Sequence, residues 1–124
     1  MAMNKVLGAY EPDNLFAANQ ELPAVADALE IAANQDLKRG CLVDADGNAC
    51  KSTTTGEGGE AVTTYAEPYA VLAEDCDTTE GAKEAAVYLT GEFNIDALSA
   101  AADEDVKNYK LAARKVGIFM KKNI

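Results

Sequence analysis

Apolar and polar residues alternate through residues 86–93, AVYLTGEF, with Val87, Leu89 and Phe93 on one side and Tyr88, Thr90 and Glu92 on the other. That period predicts a strand with one face in a core. Residues 69–73, YAVLA, form an unbroken apolar run, as expected of a strand covered on both faces. Residues 39–44, RGCLVD, alternate again, with Cys41 and Val43 together. The DADGN that follows, residues 44–48, predicts a hairpin turn, because glycine tolerates positive φ at little cost. Residues 62–65 are a short β-prone stretch, and residues 116–120, VGIFM, predict a last buried strand.

Between these strands the pattern breaks. Residues 51–60, KSTTTGEGGE, contain no large apolar side chain and read as a mobile loop, while residues 74–81, EDCDTTEG, read as a polar turn. Asn94 is placed to cap a short helical turn running to Leu98. Asp103 is placed to cap a helix running to Arg114 or Lys115, with Val106, Tyr109 and Ala113 as its inward stripe. Acidic residues in its first turn and basic ones in its last complement the helix dipole. The N-terminal third differs: residues 23–35 are Ala-rich and satisfy a weak helical pattern through Val25, Leu29 and Ala32 behind Pro23. An extended, partly disordered arm fits them equally, and the pattern does not separate the two. The expected fold is therefore a small β-rich α+β domain, residues 37–124, of short strands with one or two C-terminal helices. An N-terminal arm, residues 1–36, precedes it.

Composition narrows the function. The 124 residues suit one domain, and much of the 48% hydrophobic fraction is alanine, which buries little area per residue. The core should be thin, and self-association is one way to add burial. A net charge of −10 argues against general nucleic-acid binding and against an anionic membrane surface. The basic residues Lys107, Lys110, Arg114, Lys115, Lys121 and Lys122 gather near the C-terminus, as a solvated helix face or a local positive patch. No run has the length and hydropathy of a membrane span, and the N-terminus lacks the pattern of a secretory signal, so synthesis in the cytoplasm is expected.

Candidate chemistry is sparse. With no histidine, Ser-His and Cys-His nucleophile pairs are ruled out, and so is the commonest catalytic metal ligand. Cys41, Cys50 and Cys76 have neither zinc-site nor disulfide-framework spacing and are expected to be small buried side chains. The DADGN turn fails the calcium-loop pattern, because Ala49 stands where glycine is needed and Thr55 where glutamate is needed. Gly56, Gly58 and Gly59 lack the lysine of a phosphate cradle. Glu74, Asp75, Asp77 and Glu80 supply oxygens that a hard cation or an acid–base pair could use, but an acidic turn between strands is the simpler reading. No catalytic residue, cofactor or metal is expected, and the chain does not read as an enzyme.

The order of LKRGCLV (residues 37–43), a DG turn, YAVLAEDCDTT (69–79), AAVYLTGEFN (85–94) and the closing 116–120 segment resembles the phage head decoration protein family, typified by that of phage lambda. The likeness runs from about residue 30 to the C-terminus and rests on order and spacing, since each piece is short. It implies a non-enzymatic virion protein, made in the bacterial cytoplasm, that sits as trimers on the outer capsid surface and reinforces the expanded head. Its partners would be the major capsid protein and copies of itself, with no nucleic acid and no membrane. It also implies an arm that becomes ordered on the shell by adding a strand, which favours the extended reading of residues 29–35. On that basis Asn14, Leu15, Phe16, Val25, Leu29 and Ile31 are the candidate capsid-binding residues. The rival readings are an accessory binding module, a self-assembling scaffold with no capsid partner, and a small enzyme built on the acidic turn.

Overall fold

In a computed structural model of the protein, residues 14–17 and 24–122 are described. The expectations for residues 1–13 and 18–23, including those resting on Pro12 and Pro23, lie outside them. The domain is α+β and β-rich. Its strands are β1 (Val25–Ile31), β2 (Asp36–Leu37), β3 (Leu42–Val43), β4 (Ser52–Thr55), β5 (Val62–Tyr65), β6 (Ala70–Leu72), β7 (Cys76–Asp77), β8 (Lys83–Asn94) and β9 (Ile118–Lys121). Among the described residues one α-helix, α1 (Lys110–Lys115), continues the 3-10 turn Val106–Tyr109, and shorter 3-10 turns occur at Gly58–Glu60 and Ile95–Ala97.

The main sheet has the order β1-β8-β6-β3, with β9 added parallel to the last four residues of β8, Gly91–Asn94. Two small ribbons, β2–β7 and β4–β5, stand outside it. β3 and β6 are buried on both faces: Leu42 and Val71 enter one apolar cluster, and Val43, Ala70 and Leu72 enter the other. The first cluster centres on Phe93, Tyr109 and Ile118 and the second on Ile31, Leu72 and Val87. The sheet is thus a partition between two small cores, which is how a chain poor in aromatics fills its interior.

β8 carries the main departure from the alternation read in its sequence. Val25 pairs with Thr90 but Ala26 pairs with Tyr88, so Leu89 is an extra residue in β8, a β-bulge. A bulge shifts the facing of every later residue by one. Val87 and Leu89 therefore pack on the second cluster, whereas Phe93 crosses to the first and joins Tyr88 there. Gly91 follows the bulge at φ +156, and the Phe93 ring lies over it, so a Cβ there would come within 2.9 Å of Phe93 Cζ.

Other expectations are corrected in the same way. Residues 25–31 are a strand and not the alternative helix, because a long neighbour, β8, is available to pair with them residue by residue. That pairing makes β1 an element of the main sheet, and the body starts before residue 37. The segment read as a mobile loop is half of a hairpin, with Ser52–Thr55 registered against Val62–Tyr65. The cap of the helical segment is Asp105, whose carboxylate accepts from the Lys107 N–H, while Asp103 sits at φ +67 two residues earlier. The last strand starts at Ile118, and Val116 stays exposed. The 44–48 turn, the Asn94 cap and the Val106, Tyr109, Ala113 stripe take the places expected of them, while the 69–73 run forms a doubly covered strand only over Ala70–Leu72 and leaves Tyr69 exposed.

Candidate interaction surface

β8 is lined on one edge along most of its length by the N-terminal part of the chain. β1 pairs with residues 83–90, and Phe16 bridges antiparallel to Phe93. Ala17 N–H donates to Glu92 O at 2.9 Å and Asn94 N–H to Leu15 O at 2.8 Å. The Asn94 amide locks the same contact, donating to Asn14 O (3.1 Å) and Asn14 Oδ1 (3.3 Å) while its own Oδ1 caps Asp96 N–H (3.1 Å). Phe16 stacks on Phe93 at 5.3 Å between centroids and meets Tyr88 edge-on at 5.1 Å, which adds aromatic contact to the backbone pairing.

The outer edge of β1 is a different surface. Among the described residues β1 ends the sheet order, and Val25, Ala26, Asp27 and Ala28 are exposed in succession. Ala28 pairs with Ala86, whose carbonyl is taken by Ala73 N–H on the β6 side. Ala28 N–H accordingly points away from β8, where the Asp27 carboxylate accepts it at 2.8 Å. Such an edge, with backbone groups held only by a local side chain, can take another strand. Its C-terminal end is closed by the 44–48 turn: Ala32 N–H donates to Gly47 O, and a side chain at Gly47 would collide with Glu30 O. The Gln35 amide secures that closure, donating to Ala32 O and Gly47 O at 2.9 Å each and accepting from Ala49 N–H at 2.9 Å. The length of edge that no other described residue pairs with is therefore residues 25–29.

The six candidate contact residues all lie along this flank, but they divide. Leu15 and Ile31 are 4% and 0% exposed and belong to the two cores, so their side chains are not available to a partner. Phe16 and Leu29 are half-buried against those cores. Asn14 and Val25, the latter 50% exposed, face outward. Sequence reasoning missed Asp27, Ala28 and Gln35. Their roles come from backbone groups they meet only once β1 is a strand, and Asp27 beside a small residue is the one local sign.

Four of the acidic side chains in the two turns, Asp44, Glu74, Asp75 and Asp77, hold backbone N–H groups. Glu74 accepts from Ala86 N–H (2.8 Å), Asp75 from Arg39 N–H (2.8 Å) and Asp77 from Thr79 N–H (3.0 Å). The Thr79 hydrogen bonds hold the Asp77 carboxyl below its usual range. Asp44 Oδ1 accepts from Asp46 and Asn48 N–H at 3.0 Å each, a side-chain-stabilised turn. All three cysteines are free and buried. Burial pushes the Cys41 thiol up to about 11 and, with nearby negative charge, the Cys50 thiol up to about 12, so both are neutral thiols at physiological pH. Among the described residues no group of three or more acidic or cysteine side chains could hold a metal ion, and no helix is long and apolar enough to cross a membrane.

No protein-family model, no curated protein and no solved structure matches the chain.

Proposed function

We propose that this protein is a phage virion structural protein that binds the outer surface of the capsid, as a trimer, and stabilises the expanded head without catalysis. Its partner is the major capsid protein, and its place is on the virion. The observation that carries this reading is the open edge of β1: residues 25–29 offer a short run of exposed backbone on the flank where the family resemblance puts the capsid contact. A strand of the shell protein added there would replace the local Asp27 carboxylate at Ala28 N–H with an intermolecular ladder. The sequence order of residues 37–124 supports the same reading, as does an acidic surface turned to solvent and not to packaged DNA.

Co-sedimentation with expanded, undecorated capsids of the cognate phage tests it, comparing the full chain with Ala28→Pro. Proline is tolerated on an edge strand where the N–H faces solvent, so the fold should survive while strand addition is blocked. Saturable binding that Ala28→Pro abolishes is the expected result. Binding unchanged by Ala28→Pro would move the contact elsewhere on the body, and no binding by folded protein would favour a self-assembling or accessory module without a capsid partner.

A further inference from the structure

The C-terminal part of the molecule carries a second surface of opposite character. From Val106 to the last residue the sequence contains no aspartate or glutamate, although the chain as a whole has 21 of them against 11 lysines and arginines. Lys107, Lys110 and Arg114 follow a spacing of three and four, which brings them to one face of the Val106–Tyr109 turn and α1. Together with Asn108 and Leu111 they line a single surface depression of about 280 Å³.

Two features of this patch bear on what it could bind. First, its positive charge is gathered and unneutralised: among the described residues Lys107, Lys110 and Arg114, like Lys51, Lys83 and Lys115, make no ion pair, and here three such cations share one depression. Second, Leu111 lies among them and is 65% exposed, the most exposed large apolar side chain of the described residues. An exposed leucine ringed by unpaired cations has the make-up of an interface centre with a charged rim.

We propose that Lys107, Lys110, Leu111 and Arg114 form a docking site for an acidic protein segment that carries an apolar side chain, the apolar group covering Leu111 and the carboxylates pairing with the three cations. Duplex nucleic acid suits the patch less well. Asp103, Glu104 and Asp105 immediately precede it and would repel a long polyanion, and a phosphate backbone has no use for Leu111. The site stands apart from the proposed capsid edge: α1 packs on β9, and β9 occupies the edge of β8 opposite residues 14–17. Its fate is therefore independent of the capsid-binding result.

Fluorescence anisotropy with the full chain tests the proposal. The probe is a short synthetic peptide of aspartates and glutamates around one central leucine, and its control has serine in place of that leucine. The leucine peptide should bind saturably and more tightly than the control, weaken as salt is raised, and lose about tenfold in affinity with Lys110→Glu plus Arg114→Glu. Leu111→Ser should abolish the preference for the leucine peptide while leaving the salt dependence. These side chains are exposed, so unchanged thermal melting should confirm that each variant folds. If the double charge reversal does perturb melting, Lys110→Gln plus Arg114→Gln gives the same comparison. An absence of binding, or a preference untouched by Leu111→Ser, would overturn the proposal. Tighter binding of a DNA duplex of equal charge would replace it with a polyanion surface.

Discussion

β6 and the β4–β5 hairpin share one backbone conformation and almost nothing else. All three residues of β6 are fully buried, with Ala70 and Leu72 in one core and Val71 in the other. In the hairpin only Ser52 is even half-buried, and seven of its eight strand residues are exposed on both faces. β6 is held by burial. The hairpin is held at its base, where Ser52 Oγ donates to Glu104 Oε2 (2.9 Å), Tyr109 O–H donates to Glu104 Oε1 (2.7 Å) and the Tyr65 ring meets Tyr109 edge-on at 5.5 Å. Beyond that base it relies on its own ladder and on threonines, such as the Thr54–Thr63 hydroxyl pair at 2.9 Å. A two-stranded ribbon of this kind is marginal by itself. In this molecule a strand can form without entering a core, and the Glu104 carboxylate together with the Tyr65–Tyr109 ring contact joins the hairpin to the core.

The largest loss of stability is expected at β6. Leu72→Ala removes a side chain with 0% exposure and should lower unfolding free energy by about 2–5 kcal/mol, read from urea denaturation. A loss below about half a kcal/mol would mean that the second core does not depend on β6.

Proton linkage separates the two regions by the direction of the pH change. Cys41 and Cys50 have folded pKa values of about 11 and about 12, raised by burial above the ordinary thiol value of 9.0. Their contribution is fully present below pH 9 and is lost as pH rises through 11 to 12, so alkali should attack the core. Glu104 behaves oppositely. The hydrogen bonds from Tyr109 and Ser52 hold its pKa below the usual carboxylate range, so its contribution is present above the unfolded value and is lost as pH falls through the folded one. Acid should therefore release the hairpin base first. Hydrogen exchange followed across pH should show early deprotection of residues 52–65 on the acid side. Glu104→Gln should bring that deprotection to neutral pH, and an unaltered exchange pattern in that variant would show that the carboxylate does not anchor the hairpin.

The smallest effect is expected at the hairpin's exposed face. Thr54→Ala removes one solvent-facing hydroxyl contact and should change stability by less than about half a kcal/mol in the same urea assay. A loss comparable to that of Leu72→Ala would erase the distinction between the two regions.

What the sequence determined by itself was local. The Asp44–Asn48 turn follows from Asp44 and Gly47, the Asn94 cap from a side chain two residues from its donor, and the strand at β6 from five consecutive apolar residues with no room for a polar face. The helical stripe of Val106, Tyr109 and Ala113 is likewise a matter of spacing. Each depends on groups close in the chain, so propensity and periodicity carry the answer. The tertiary structure decided what depends on a distant partner. Residues 25–31 satisfy a weak helix pattern and become a strand because β8 pairs with them. The threonine-rich segment at 52–55 becomes a strand because Val62–Tyr65 and Glu104 lie beside it. Phe93 enters one core and not the other because a single extra residue at Leu89 shifts the register of β8. The candidate surfaces fall under the same rule: the cations of α1 were legible as a cluster, but their lack of partners and the exposure of Leu111 were not, and the open edge of β1 exists only once the sheet is assembled. Sequence pattern encodes what each residue prefers locally, whereas exposure and pairing belong to the folded surroundings.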